Sequence, residues 1–349
     1  MTFRDIVGHR RLLGLLARAI RSDSLPPSLI FAGPDGVGKR QVALGVAQAM
    51  NCLSPVIDDA TGRCDGCGRC AACGKIVRGH HPDVILLEPL EDKSGISVDQ
   101  VRELIRKIGY RPFEGRSRVV IVDPADELNS DAQDAFLKVL EEPPPRNVLV
   151  LVTTNPGDLH DTIRSRCSLL RFAPLAAGEI ASALVERGVC AGSDAQAAAA
   201  LAGGSFSRAL GARSVELAEA RAVATAILVE AARASDPRTR LAVGAALLQG
   251  AGKKGKDKEG KLQGADRRAL AVRLRALGSL LRDVTVLTTR APDAALVNLD
   301  LRADLEPLAR IYDRDRLARA FSAVGRSLSV LERNNASPKI VVDWLAFQL

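Results

Sequence analysis

The chain has 349 residues, 47% of them apolar and 3% aromatic, with a formal charge of +8. That length suggests two or three domains with real cores, and the charge favours anionic partners such as nucleic acid. No apolar run approaches the roughly 20 residues of a membrane span, and Met1-Thr2-Phe3-Arg4-Asp5 lacks a signal-peptide layout, so the expectation is a cytoplasmic protein with no membrane partner.

In chain order, the first element is an amphipathic helix. Leu12, Leu15, Leu16, Ala19 and Ile20 recur at helical spacing, and Leu25-Pro26-Pro27 breaks the pattern. Next comes Ser28-Leu29-Ile30-Phe31-Ala32, then Gly33-Pro34-Asp35-Gly36-Val37-Gly38-Lys39-Arg40, then a helical pattern over residues 41–51. That reads as a strand, a phosphate-cradling loop and a helix. Gly33, Gly36, Gly38 and Lys39 fit the template G-x4-G-K-[ST]. The glycines let backbone N–H groups turn around an anion, the helix N-terminus adds positive charge, and Lys39 would reach the β- and γ-phosphates of ATP. The last template position fails. Arg40 stands where a hydroxyl should hold Mg²⁺.

Cys52 ends that helix, and Cys64, Cys67, Cys70 and Cys73 follow at two-residue intervals. In a reducing compartment, clustered cysteines read as metal ligands before disulfides. Spacing alone leaves five candidates for the four tetrahedral positions of Zn²⁺, and a [4Fe–4S] cluster is the rival occupant. Cys190 stands alone and reads as an apolar filler.

Val84-Ile85-Leu86-Leu87 is a buried-strand candidate, and Ser97 with Gln100 makes a capping box before the next helix. Residues 118–122 form another strand, ending at the carboxylate of Asp123. Such a carboxylate holds the Mg²⁺ shell in P-loop ATPases, beside a glutamate that orients water, but here Pro124 follows. Asn129 or Ser130 caps a helix closed by Glu141-Glu142-Pro143-Pro144-Pro145, and residues 148–153 are the next strand. The alternation predicts an α/β domain with a mostly parallel sheet and helices on both faces.

Thr162-Ile163-Arg164-Ser165-Arg166-Cys167 resembles the S-R-C motif of clamp-loader subunits of bacterial DNA polymerase III, an AAA+ family. The P-loop, the cysteine module after its helix, and Leu140-Glu141-Glu142-Pro143-Pro144 fit the same family. The resemblance implies a P-loop domain over residues 1–174, a helical lid over 175–213 and an all-α collar over 214–349. It implies Lys39 at phosphate, Asp123 at Mg²⁺, Thr154 as the polar sensor ending a strand, and Arg208 as a lid arginine sensing the γ-phosphate. Arg166 would reach the ATP of a neighbouring subunit; the competing reading is a local ion pair, for example with Asp161. Counted back from His81-Pro82-Asp83, family spacing favours Cys52, Cys67, Cys70 and Cys73 as the zinc ligands and leaves Cys64 out. The implied partners are the gamma/tau and delta subunits of the loader, with the sliding clamp and primer-template DNA reached through the complex. Hydrolysing members keep the hydroxyl and an Asp-Glu pair; Arg40 and Pro124 point to a non-hydrolysing subunit.

Beyond residue 175 the pattern is helical. Ile180, Ala183 and Leu184 mark one helix, residues 195–202 a second, and Gly203-Gly204-Ser205-Phe206 opens a third. Residues 270–287 and 301–331 carry helical spacing, and the Gly/Lys-rich run 252–261 reads as a flexible, solvated loop.

Overall fold

The computed structural model describes residues 2–90, 95–211, 214–234, 236–248, 264–289, 296, 298, 301–333 and 336–349. The Gly/Lys-rich run 252–261 lies outside these residues. Two compact units emerge: Met1–Ala176 with Ser205–Ser207, and Ala177–Gly204 with Arg208–Leu349.

The first unit runs α1 (Arg10–Arg21), β1 (Ser28–Ala32), α2 (Lys39–Asn51), β2 (Val56–Asp58), β3 (Arg63–Asp65), α3 (Ala71–Val77), β4 (Val84–Leu87), α4 (Val98–Ile108), β5 (Arg118–Val122), α5 (Ser130–Glu141), β6 (Asn147–Thr153), α6 (Asp161–Arg164) and β7 (Ser168–Arg171). Five strands form one parallel sheet in the order β4-β5-β6-β1-β7. Strands β1, β5 and β6 are buried on both faces, as unbroken runs such as Val119-Val120-Ile121-Val122 require. Alternate residues then supply two cores. Ile30, Val120 and Leu149 pack with Val101, Leu104 and Phe136 of α4 and α5. Leu29, Phe31 and Val119 pack with Leu16, Val42 and Ile76 of α1, α2 and α3. Because all five strands run the same way, their C-terminal ends share one edge, where open α/β sheets bind ligands.

Several elements differ from the sequence reading. The strand β7 pairs with β1 from Leu29↔Ser168 to Ala32↔Arg171; as a four-residue edge strand with little burial it has almost no apolar signature. The hairpin β2–β3 sits inside the cysteine module, and β2 is exposed along its length. On α1 the buried residues are Leu13, Gly14, Leu16 and Ala17, while Leu15 faces solvent, so the apolar stripe is rotated from the expected one. The capping box of α4 is present, Ser97 N–H donating to Gln100 Oε1 at 3.1 Å.

Asp83 ties the sheet to the following loop. It is fully buried and accepts from the N–H groups of Phe113, Glu114 and Gly115 at 2.7, 2.8 and 2.8 Å, and from Arg118 Nη2 at 3.0 Å. Burial alone would push its carboxyl up, but these donors outweigh it and hold the group below the ordinary carboxylate range. Asp83→Ala leaves the buried Arg118 guanidinium without its counter-ion, held only by the carbonyls of Lys107, Tyr110 and Arg111, and the expected cost is about 3 kcal/mol, read as a lower urea midpoint for this unit. In the wild type this contribution is fully present above the unfolded carboxyl pKa of roughly 3.9 and is lost as pH falls through the lower folded value. A variant as stable as the wild type at neutral pH would show that the Asp83 hub is dispensable.

The second unit is helical among its described residues: α7 (Ala177–Glu186), α8 (Gly192–Leu201), most of α9 (Phe206–Gly211), α10 (Ser214–Arg233), α11 (Pro237–Ala246), α12 (Gly264–Thr288), α13 (Arg302–Leu305), α14 (Leu308–Ile311), α15 (Arg314–Arg333) and α16 (Pro338–Ala346). The single pattern expected over residues 301–331 is three helices. Pro307 caps the second, and Asp313 accepts from Arg316 N–H at 2.7 Å to start the third. Cys190 is only half-buried rather than an interior filler.

Candidate functional site

The loop after β1 is shaped by close approaches. A Cβ on Gly33 would lie 2.3 Å from the carbonyl oxygen of Phe172, just beyond β7. Gly36 has φ +73°, and a Cβ there would lie 2.1 Å from Ser205 Oγ; Ser207 N–H also donates to Gly36 O at 3.1 Å. Ser205–Ser207 therefore belongs to this unit as a cover over the loop. Gly38 stands at the N-cap of α2. Lys39, which opens that helix, is buried and donates from Nζ to the carbonyls of Gly33 at 2.5 Å and Pro34 at 2.8 Å. Burial draws its pKa down, opposed by the charges of Asp35, Asp123 and Asp126. A lysine held among main-chain oxygens at a helix N-terminus is placed to exchange them for phosphate oxygens.

Acidic groups converge on the same strand edge. Asp123 follows β5, and Thr154 follows β6. Arg40 Nη1 donates to Glu88 Oε1 at 2.6 Å and lies 3.7 Å from Asp123 Oδ2. Burial raises the Asp123 pKa; Arg40 and Lys39 oppose the rise, while Glu88 and Asp126 add to it. Thr154 Oγ1 donates to Asp126 Oδ2 at 2.9 Å, and Asp126 Oδ1 is buried with no hydrogen-bond partner. Glu88 and Asp126 escaped the sequence reading. Their signal was positional, since each lies just past the C-terminal end of a strand. Magnesium does not fit this set as it fits a P-loop with a hydroxyl. A guanidinium offers a metal no lone pair, and it is already paired with the carboxylates that would hold one.

The cysteine cluster lies at the other end of α2. Cys52 caps that helix, Cys70 caps α3, Cys73 sits in the first turn of α3, and Cys67 lies between β3 and α3. Their four sulfur atoms lie within 4.8 Å of one another, and Cys52 and Cys70 are 3.8 Å apart. Four thiolates bound at about 2.3 Å around a tetrahedral ion would sit at a comparable separation, so these residues could hold a metal ion. Backbone N–H groups point at the sulfurs: Cys67 N–H to Cys52, Cys70 N–H to Cys67 and Cys73 N–H to Cys70, at 3.2, 3.3 and 3.5 Å. Burial resists ionisation of Cys70, yet the N–H donors of Cys73 and Leu53 and the adjoining thiols outweigh it and bring the pKa to about 6. Cys64 is buried on β3 and is not one of the four.

Arg166 follows α6. Its Nη2 donates to Glu141 Oε1 at 2.7 Å, at the end of α5, and its Nη1 to Thr162 O at 3.0 Å. The local pair runs to Glu141 rather than Asp161, which pairs with Arg164. Arg208 lies on α9 and belongs to the second unit.

Residues 8–176 match the protein family described as DNA polymerase III, delta subunit. Over that stretch the chain is similar to clamp-loader subunits of DNA polymerase III. A delta' subunit from Bacillus subtilis is 33% identical over 179 residues, 51% of this chain and 52% of that protein. A delta' subunit from Pseudomonas aeruginosa is 38% identical over 138 residues, 40% of each chain. The tau/gamma subunit of Haemophilus influenzae is 34% identical over 166 residues, 48% of this chain and 23% of its own length. The chain thus spans about half the length, or less, of these relatives. Among the described residues no helix is long and apolar enough to cross a membrane.

Proposed function

We propose that this chain is a delta-prime-like subunit of the DNA polymerase III clamp loader, helping to load the sliding clamp onto primed DNA without hydrolysing ATP itself. The observation that carries the reading is Arg40, which fills the hydroxyl position of the P-loop and pairs with Glu88 and Asp123. With Pro124 in place of the water-orienting glutamate, neither half of the hydrolytic machinery is in place. Lys39 and the glycines keep the shape of a phosphate cradle, so the site is read as degenerate rather than lost. Zinc is assigned to Cys52, Cys67, Cys70 and Cys73, because four close thiolates suit a structural tetrahedral ion. In the three-domain reading, residues 1–174 form the AAA+ module with the lid at 175–213, where Arg208 would face the γ-phosphate. Residues 214–349 form the collar that joins the gamma/tau and delta subunits into a ring, and Arg166 serves the ATP of a neighbour.

The second reading is an active gamma/tau-like ATPase, which the retained Lys39 and the identity to tau/gamma subunits favour. Turnover separates the two. The isolated chain should hydrolyse ATP no faster than buffer, and Lys39→Ala should change nothing. Robust hydrolysis that disappears in Lys39→Ala would establish the gamma/tau-like reading instead.

A further inference from the structure

A P-loop that lost its metal simply by mutation would carry bare carboxylates at the strand ends, which repel a polyphosphate. Here Glu88 and Asp123 are not bare. Arg40 leaves the first turn of α2, donates to Glu88 at 2.6 Å and approaches Asp123 to 3.7 Å. Asp126 faces the same edge, with one oxygen held by Thr154 and the other buried without a hydrogen-bond partner. Lys39 adds a second cation, anchored on the carbonyls of Gly33 and Pro34 and 3.8 Å from Asp35. Two cations thus stand among Asp35, Glu88, Asp123 and Asp126, where a P-loop ordinarily relies on one lysine and a divalent ion. A guanidinium is planar and permanently charged, and its remaining N–H groups suit phosphate oxygens.

We propose that Arg40 is a built-in replacement for the divalent cation, and that this site takes a nucleoside di- or triphosphate without magnesium. Arg40 sits on the carboxylates that would otherwise recruit metal, and it cannot dissociate. The proposal rests on the P-loop reading above but not on loader membership, which is tested separately by the partners the chain brings down.

The test is titration of the full-length chain with fluorescently labelled ADP, once with excess EDTA and once with excess Mg²⁺. The wild type should bind in both media with dissociation constants within about threefold, short of the tenfold that 1.4 kcal/mol represents. Lys39→Ala should abolish binding in both, which locates the ligand at the loop. Arg40→Ser restores the hydroxyl and frees Glu88 and Asp123, so Mg²⁺ should now tighten binding by about tenfold or more, 1.4 kcal/mol. Wild-type binding that is lost in EDTA would overturn the proposal. So would a wild type that binds no labelled ADP in either medium, or an Arg40→Ser variant indifferent to Mg²⁺. Should Arg40→Ser fail to fold, the two wild-type titrations decide alone.

Discussion

Cys73→Ser should leave the purified chain without its metal, whereas the wild type should carry about one zinc per chain, because one tetrahedral site takes four cysteines. Cys73 is fully buried, and its sulfur lies within 4.8 Å of those of Cys52, Cys67 and Cys70. A serine hydroxyl is a poor substitute for a thiolate, and three ligands around a buried hole do not hold a structural ion. Binding energy at such sites is folding energy, of apparent size roughly 10–16 kcal/mol in isolated zinc-finger peptides. The effect here should be smaller, because the module is framed by other contacts: Gln48 Nε2 donates to Cys73 O at 3.1 Å, and Phe3 N–H to Asp65 at 3.0 Å. A loss of several degrees or more in Tm, together with loss of zinc by elemental analysis, is expected, and Cys64→Ser should keep the metal. Iron in a brown preparation would refute zinc. Zinc lost on Cys64→Ser but kept on Cys52→Ser would overturn only the ligand set.

Arg166→Ala should leave the isolated chain folded and able to join the loader while lowering the ATPase of its partners. In the folded chain the arginine holds a half-exposed pair with Glu141, and such pairs contribute only about 0–1 kcal/mol. An arginine presented across an interface to a transferring phosphoryl group is typically worth about 10³–10⁵ in rate in GTPase systems. The loss in a ring should be smaller, since this chain would complete one ATP site among several. Clamp- and DNA-stimulated ATPase and the rate of clamp loading in a reconstituted complex are the readouts. Arg166→Lys should not restore them, because an ammonium lacks the planar fork. A mutant complex that assembles and loads clamps at the wild-type rate would show that Arg166 does not act in trans, and failure to assemble would make it structural.

The parts of the molecule legible in the sequence were those where one physical demand fixes both residue type and spacing. A strand buried on both faces must be an apolar run, and β1, β5 and β6 are such runs. A loop under the Phe172 carbonyl and the Ser205 hydroxyl must be glycine at positions 33 and 36. Elements with weak or split demands were harder to read. The edge strand β7 and the exposed strand β2 bury too little to leave a pattern, and α1 turned its stripe toward Leu13 because tertiary packing, not periodicity, selects the buried face. Charge partners were harder still. Nothing local tells Arg40 to reach Glu88, 48 residues away, or Arg166 to choose Glu141 over the nearer Asp161. Spacing alone could not choose four of five cysteines; the hairpin β2–β3, which carries Cys64 at its own position opposite Ile57, is what separates that residue from the cluster.

Affinity purification of the tagged chain from its own cells decides whether it is a loader subunit. Gamma/tau and delta subunits of the loader should come down with it in fixed proportion and survive a wash in moderate salt. Recovery of the chain alone, or with no loader subunit among its partners, would contradict that reading.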